Sequence, residues 1–382
     1  MRLNGLSLSK QPLTTALKMG LTTLISFSLL GCNPSNDSDT QNDKAPATLT
    51  ESIASEQDYL SSSDSSDKVI VYSYRPEHII QPLLDTFTTD TGIATELKVY
   101  RGDSLVDKFI ESPETVEADL VFLVDAMRFQ ILADAGLFRP LPQQALDSIP
   151  QGFKSNDDLW LGLGVRARSA VWKKSEFAPR GPADLKDLAV SAKLCFREGE
   201  HIYNRSFVGW LIENYSENFA KEWASVIFSN RQEINGGDRV QIAAVAEDKC
   251  DVAIVNHYYL AMLGQQDPEL LNTLSFGWQS PNTPVQTNIS GIAVTQQGEN
   301  KNGADQLAVW LTQEQNAKRY ASSVFELPLN WQEKPEYIAP QLVEFSQLKS
   351  SSTFPANFAE QWQSAGQILE NTLNNLDISS TP

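Results

Sequence analysis

Residues 69–92 read VIVYSYRPEHIIQPLLDTFTTDTG. The opening apolar run, 69–74, predicts a β-strand, and the apolar residues from Ile79 to Phe87 recur at the spacing of one helix face. Thr91-Gly92 ends the helical pattern. The stretch is therefore one strand–helix unit, which is the building block of an α/β fold.

The same alternation continues along the chain, and repeated strand–helix–strand order predicts parallel strands. Further strands are predicted at 96–100, 118–124 and 251–255, and helices at 105–110, 127–135, 207–214, 219–227 and 240–246. A later strand at 288–295 and a helix at 304–321 return the chain to the first sheet, which makes a hinge between two lobes. We predict a first lobe from 68–165 and 285–335, a second lobe from 166–284 and 336–373 with a helix at 358–373, and a flexible tail at 374–382.

The N-terminus has the pattern of an export signal. Residues 1–18 carry basic but no acidic side chains, and the apolar stretch 19–30 is too short for a spanning helix. Leu29-Leu30-Gly31-Cys32 resembles the bacterial lipobox, so we expect removal of a signal peptide, 1–31, and lipidation of Cys32; the alternative is an unmodified cysteine. Such an anchor would hold the protein at a bacterial membrane on the periplasmic side, with the choice of inner or outer membrane left open. The acidic, Ser-rich segment 32–67 predicts a disordered tether.

Composition excludes several functions for this chain of 382 residues. With 48 acidic against 30 basic residues, the formal net charge of -18 argues against binding nucleic acid through bulk charge. Three His and three Cys exclude a multi-zinc or His-rich module. The sequence contains no phosphate-binding loop, dinucleotide fingerprint, zinc-protease helix or nucleophile elbow.

Two cysteines remain once Cys32 is assigned to lipid. Cys195 and Cys250 lie in or beside predicted strands of the second lobe. In an exported protein, two leftover thiols are more often paired than free. We therefore predict a disulfide between them and disfavour a nucleophilic role.

Two tyrosine-containing segments follow predicted strands. Asn256-His257-Tyr258-Tyr259 comes directly after the strand at 251–255, and the carboxyl end of a strand in an open α/β sheet faces the ligand crevice. The alternative is that the two tyrosines only pack. The other segment is His201-Ile-Tyr203-Asn-Arg-Ser206, which follows Arg197.

Read together, these segments resemble the ferric-iron-binding proteins of bacterial ABC importers. The resemblance covers about residues 69–335 and includes Val71–Arg75, Val124–Arg128, Arg166–Arg168, Val240–Ala246 and Asn288–Gly291. It implies the two-lobed type II periplasmic-binding-protein fold, an α/β fold with mixed sheets flanked by helices and a hinge. It also implies a monomeric, non-enzymatic receptor that closes on Fe(III) and delivers it to an ABC-type permease and its ATPase. The ligands implied are Tyr203, Tyr258 and Tyr259.

Iron chemistry agrees with a tyrosine site. Fe(III) is a small, hard cation that favours anionic oxygen, and a bound cation can displace the phenol proton although a free Tyr has a pKa of about 10. Three phenolates would balance the charge of the ion. Because binding then releases protons, the iron affinity should fall as the pH falls.

The first lobe departs from the family pattern. Many members have His-Tyr directly after the residue that matches Arg75, whereas this chain has Pro76 and Glu77, followed by His78. Glu77 or His78 would then supply the first-lobe ligand. The alternative is that both residues merely begin the helix.

Charged residues near the proposed site have several interpretations. Arg166 and Arg168 are two apart on a predicted strand, so both point to one side. Together with Arg75, they would favour phenolate or hold an accompanying anion such as carbonate; the alternative is an ion pair with Asp125 or another carboxylate.

Other residues are expected to support the site or to lie away from it. We expect Asp125 and Arg128 to brace the cleft, and His201 and His257 to be supporting or surface groups. A receptor for an organic anion, a sugar or a polyamine is the alternative function.

Overall fold

The computed structural model of the protein describes residues 68–100, 104–174, 178–197, 199, 201–350 and 358–379. The predicted signal segment, Cys32 and the tether lie outside these ranges. Within them, every helix is too short or too polar to cross a bilayer.

The described residues contain a nine-stranded mixed sheet in the order β2-β1-β3-β9-β5-β7-β6, with β4 paired to β9 and β8 paired to β5. The pairs β1–β2, β1–β3 and β6–β7 are parallel, and the other pairs are antiparallel. The strands are β1 (Lys68–Ser73), β2 (Ala94–Val99), β3 (Leu120–Val124), β4 (Phe138–Arg139), β5 (Leu161–Lys173), β6 (Leu194–Cys195), β7 (Val252–Asn256), β8 (Leu274–Gly277) and β9 (Gln286–Thr295).

Helices pack on both faces of this sheet. The first ends as the sequence predicts, because Gly92 adopts a left-handed φ of 77° and its N–H donates to the carbonyl of Thr88. The α-helices are α1 (Glu77–Thr91), α2 (Ser104–Glu111), α3 (Ala126–Asp134), α4 (Gln143–Leu146), α5 (Pro182–Leu188), α6 (Ile202–Asn214), α7 (Glu217–Asn230), α8 (Asp238–Ala246), α9 (His257–Gln266), α10 (Glu269–Thr273), α11 (Lys301–Thr312), α12 (Glu314–Ser323) and α13 (Phe358–Ser379).

The two long strands β5 and β9 connect two lobes. The second half of β9 pairs with β3, while its first half pairs with β5, which continues onward to pair with β7. The strands approach closely at Gly291, where any Cβ would collide with the carbonyl oxygen of Leu161. A side chain at Gly291 is therefore incompatible with this crossing.

The buried core divides at the same crossing. Two apolar clusters cover the two faces of the β1–β3 half of the sheet, and two others cover the faces of the β6–β7 half. On β5, Leu163 packs in a first-lobe cluster and Val165 in a second-lobe cluster. Each lobe thus buries its own core, and the connection between them is limited to a few chain segments.

The structure corrects three boundaries predicted from the sequence. The helix predicted at 304–321 is two helices, α11 and α12, because Gln313 adopts an extended backbone. The first lobe was predicted to continue to 335, but Leu327 and Trp331 pack in a second-lobe cluster. The flexible tail predicted from 374 is wrong as far as Ser379, since α13 continues and Leu376 packs on the second-lobe core.

Candidate metal centre

Adjacent strands bring the two tyrosine segments together. β6 and β7 are parallel neighbours, so their carboxyl ends meet at one edge of the sheet. The chain after β6 enters α6 and the chain after β7 enters α9, which places the N-termini of both helices at that edge. Helix N-termini carry partial positive charge and therefore favour anions.

The three tyrosines lie in the first turns of these helices. The Oη atoms of Tyr203 and Tyr258 are 3.1 Å apart, a hydrogen-bond distance. The rings of Tyr258 and Tyr259 are 4.3 Å apart between centroids. The Asn256 side-chain amide lies 3.4 Å from the Tyr258 oxygen, at the long end of a hydrogen bond. All three tyrosines line one cleft of about 490 Å³.

Burial keeps two of these phenols protonated in the metal-free protein. Burial and the neighbouring Tyr203 and Tyr259 raise the pKa of Tyr258 well above its ordinary value. Burial is also the main reason that the pKa of Tyr259 is raised. A cation that binds here must therefore displace protons.

Five guanidinium groups surround the tyrosine rings. The guanidinium carbons of Arg166, Arg168 and Arg197 lie 5.3, 5.6 and 5.2 Å from the centroid of the Tyr203 ring. The guanidinium carbon of Arg75 lies 6.0 Å from the centroid of the Tyr258 ring, and that of Arg239 lies 5.8 Å from the centroid of the Tyr259 ring. Arg166 and Arg75 act to lower the pKa of Tyr258, and Arg197 acts to lower the pKa of Tyr259, but burial outweighs them.

Three buried carboxylates compensate part of this charge. Asp125 pairs with Arg166, Asp238 pairs with both Arg168 and Arg197, and Glu326 pairs with Arg75. Burial acts to raise the pKa of Asp238, but Arg168 and Arg197 outweigh burial and hold the pKa below its usual range. While the tyrosines are protonated, these five guanidinium groups exceed the three carboxylates by two positive charges.

Arg166 and Arg168 form the ion pairs that the sequence offered as one interpretation, and their part in favouring a phenolate or holding an anion stays a prediction. Each forms an ion pair, and each also lies beside the Tyr203 ring. Each keeps two buried guanidinium nitrogens without a hydrogen-bond partner among the described residues. Buried donors of this kind are suited to an anionic oxygen.

Asp125 lies beneath the cleft rather than lining it. Its carboxylate caps α3 by accepting from the Met127 N–H, and it also accepts from the Ser206 hydroxyl and the Asn288 amide. Its backbone has a φ of 85°, uncommon for a residue with a side chain. Asp125 thus joins the first lobe to α6 and β9.

The first-lobe side of the cleft offers few donors. Its lining includes Tyr74, Pro76, His78 and Arg128, and the Arg128 guanidinium lies 4.5 Å from the centroid of the Tyr74 ring. His78 is exposed at the start of α1. Glu77 is also exposed, and the structure does not bring it into the cleft lining.

The two histidines next to the tyrosines have supporting positions. His201 caps α6, since its Nδ1 accepts from the Tyr203 N–H at 3.2 Å. The buried His257 ring accepts at Nδ1 from the Ala167 N–H at 3.0 Å. Burial, reinforced by Arg197, lowers the pKa of His201 to about 3, and burial likewise lowers the pKa of His257 to about 3. Both rings are therefore neutral hydrogen-bond acceptors at neutral pH.

A disulfide joins Cys195 and Cys250 in the structure, with their Cα atoms 5.8 Å apart. It links β6 to the residues just before β7. The bridge therefore holds together the two strands whose continuations carry the tyrosines.

Sequence reasoning missed several of the residues that build this site. Glu326, Asp238 and Tyr74 were not singled out, and Arg197 was noted only as part of a motif. Their signals are weak, because the burial of Glu326 and Asp238 depends on how distant strands cross. No group of three or more His, Cys, Asp or Glu side chains suited to a metal occurs in the described part of the chain.

No family model matches the sequence. Among curated relatives, the chain is 27% identical over 272 residues to "iron uptake protein A1" of Synechocystis sp., covering 69% of this chain and 76% of the relative. It is 24% identical over 272 residues to the "Fe(3+)-binding periplasmic protein" of Serratia marcescens, covering 67% and 79%.

Solved structures of ferric-iron-binding proteins are also similar to this chain. The apo ferric ion-binding protein A of Pasteurella haemolytica aligns with a TM-score of 0.71 and 28% identity, covering 80% of this chain and 98% of that one. The Trichodesmium protein solved with iron and citrate aligns with a TM-score of 0.70 and 28% identity, covering 80% and 99%. These matches confirm the predicted resemblance to ferric-iron-binding proteins and the predicted two-lobed fold. The matched proteins are named as binding proteins, which agrees with the prediction of a receptor rather than an enzyme.

Proposed function

We propose that this protein is a periplasmic receptor that binds Fe(III) through tyrosinates in the cleft between its lobes. The observation that carries the proposal is the 3.1 Å approach of the Tyr203 oxygen at the start of α6 to the Tyr258 oxygen at the start of α9, where Tyr259 follows. The names of the relatives and of the solved neighbours support iron as the cargo.

The chemistry of the site suits a trivalent cation. Three phenolates supply hard anionic oxygens whose total charge balances that of Fe(III). Two helix N-termini and the surrounding guanidinium groups favour the phenolates without competing for the metal, since neither provides a lone pair. Iron binding would release the phenol protons, so the affinity should fall as the pH falls.

We also propose that an anion completes the coordination of the iron. With three phenolates and Fe(III) in place, the five guanidinium groups and three carboxylates still leave an excess of two positive charges. The cleft of about 490 Å³ is far larger than one ion needs, and among the described residues of α1 only His78 is both exposed and part of the cleft lining. Carbonate or a polycarboxylate such as the citrate of the Trichodesmium complex would fit this charge and space.

Delivery and anchoring complete the proposal. β5 and β9 would act as the hinge on which the lobes close over the iron, since they are the strands that cross between the two cores. Lipidation at Cys32 would hold the receptor near a membrane, where an ABC-type permease and its ATPase would take the iron.

An absorption titration with Fe(III)-citrate tests tyrosinate ligation. We expect a broad phenolate-to-iron charge-transfer band that saturates at one equivalent and is lost in the Tyr258→Phe/Tyr259→Phe variant. Tyr215→Phe is the matched control, because Tyr215 is an exposed second-lobe tyrosine that does not line the cleft. A colourless wild-type protein would refute the proposal.

The second candidate is a receptor for an organic anion. The excess of guanidinium charge at the cleft favours it and argues against a cationic polyamine. In that case, a polycarboxylate without iron would raise the melting temperature of the wild-type protein, and the two Tyr→Phe substitutions would leave that shift unchanged.

A further inference from the structure

Glu326, the carboxylate that pairs with Arg75, lies buried at the hinge between the lobes. Glu326 is 0% exposed and lies three residues beyond the end of α12. Its carboxylate forms an ion pair with the Arg75 guanidinium and accepts a hydrogen bond from the Ser290 hydroxyl. A buried charge is costly unless it is paired in this way.

The strands of the hinge hold Glu326 from several sides. Ser290 lies in β9, and the next residue along from Glu326, Leu327, exchanges two backbone hydrogen bonds with Val165 of β5. At Gly164, also in β5, a Cβ would lie only 2.5 Å from a Glu326 carboxylate oxygen. The absence of a side chain at Gly164 therefore leaves the space that the carboxylate occupies.

Arg75 extends from this anchored carboxylate to the metal centre. It follows β1 in the first lobe, exposes 12% of its side chain and lines the cleft. Its guanidinium carbon is 6.0 Å from the centroid of the Tyr258 ring, which belongs to the second lobe. Burial acts to lower the pKa of Arg75, but Glu326 and the nearby phenols outweigh burial and raise it, so the group stays charged.

An ion pair of this kind contributes little to stability in itself. Replacing a buried pair with apolar side chains is often neutral or stabilising. Its value here is geometric: among the described residues, Glu326 is the only carboxylate that pairs with Arg75, so it fixes the guanidinium at this edge of the cleft.

We propose that Glu326 is a positioning residue for the iron site. Glu326 is anchored in the hinge strands and holds the Arg75 guanidinium beside Tyr258. The inference rests on the proposed function, because it needs Tyr258 to bind iron. Loss of the carboxylate would let Arg75 move away from the phenolate and would weaken iron binding.

The test compares Glu326→Gln, Arg75→Gln and the double variant with the wild-type protein. Iron affinity is measured by competition with citrate, and the energy of the charge-transfer band is recorded for each iron-loaded protein. We expect Glu326→Gln to lower the affinity by about 10- to 100-fold, the range for groups that support a metal ligand, and to shift the band. If Glu326 acts through Arg75, the double variant should lose no more affinity than Arg75→Gln alone.

Asp305→Asn serves as the control. Asp305 forms a first-lobe ion pair with Arg139, at 2.8 Å, and does not line the cleft, so its loss should leave both the affinity and the band unchanged. The inference is overturned if Glu326→Gln keeps the wild-type iron affinity and band energy. It is also overturned if the affinity losses of the two single variants add up in the double variant.

Two further outcomes keep the test decisive. If a single variant is unstable, the double variant leaves neither buried charge unpaired, and a wild-type band and affinity there would overturn the inference. A wild-type protein without the band would instead refute tyrosinate ligation itself, and this inference with it.

Discussion

The two sides of the cleft are built differently. On the second-lobe side, Tyr203, Tyr258 and Tyr259 converge from two helix N-termini on adjacent parallel strands. On the first-lobe side, Pro76 and the exposed His78 stand at the start of α1, and the charged contribution comes from Arg75 and Arg128.

Under the proposed function, this difference would separate iron binding from lobe closure. The second lobe presents hard oxygens in a preformed group, so it would bind Fe(III) before the lobes close. The first lobe would then supply positive charge for an anion and for the phenolates rather than a further strong ligand. Three substitution experiments test whether the two sides of the cleft differ in this way.

The largest effect is expected from a matched pair of tyrosines, one from each lobe. Tyr203→Phe should abolish the charge-transfer band or shift it strongly, and lower the iron affinity by more than about 100-fold, because it removes a direct ligand rather than a supporting group. Tyr74→Phe should change the affinity by less than about 10-fold, since its ring packs against the first-lobe core beneath Arg128. Competition with citrate measures both. Equal losses would show that the first lobe also supplies a phenolate.

An intermediate effect is expected from the disulfide. β6 has only two residues; among the described strands it pairs with β7 alone, and one further bridge joins Leu194 to Arg231. By contrast, β2 at the opposite edge pairs with β1 along all six residues. The Cys195→Ala/Cys250→Ala variant should therefore lose about 2–5 kcal/mol of stability against unfolding, and about 10-fold in iron affinity as β6 and α6 lose their alignment. Denaturant unfolding and citrate competition measure the two effects. An unchanged iron affinity in a destabilised variant would show that strand pairing alone positions Tyr203.

The same asymmetry explains what the sequence could predict. Tyr258 and Tyr259 could be placed at a strand end because they follow the apolar run at 251–255, whereas Tyr203 was singled out by the resemblance of its segment to ferric-iron-binding proteins. The strand–helix alternation that gives each lobe its core is equally local. The break at Gln313 was missed because residues 312–316 contain neither Gly nor Pro, the usual signals of a helix end.

Glu326 could not be predicted from its own neighbourhood. Its burial depends on the crossing of β5 and β9, on the space left at Gly164 and on Arg75, which is 251 residues away in the sequence. Asp238 is similar, since its partners Arg168 and Arg197 lie on other elements. The carboxylates that position this site come from distant parts of the chain, whereas its proposed tyrosine ligands follow the ends of neighbouring strands.

The smallest effects are expected at the two first-lobe residues considered as ligands from the sequence. His78→Ala should lower the iron affinity by less than about 10-fold, below the range for groups that support a metal ligand, because the imidazole is exposed and is a softer donor than phenolate. Glu77→Gln should leave the affinity unchanged, since its exposed carboxylate does not line the cleft. Isothermal titration with Fe(III)-citrate, repeated with Fe(III)-nitrilotriacetate, measures both variants. A loss of more than 10-fold in His78→Ala with either chelate would mean that the closed cleft brings α1 onto the iron, and the division between a binding lobe and a closing lobe would fail.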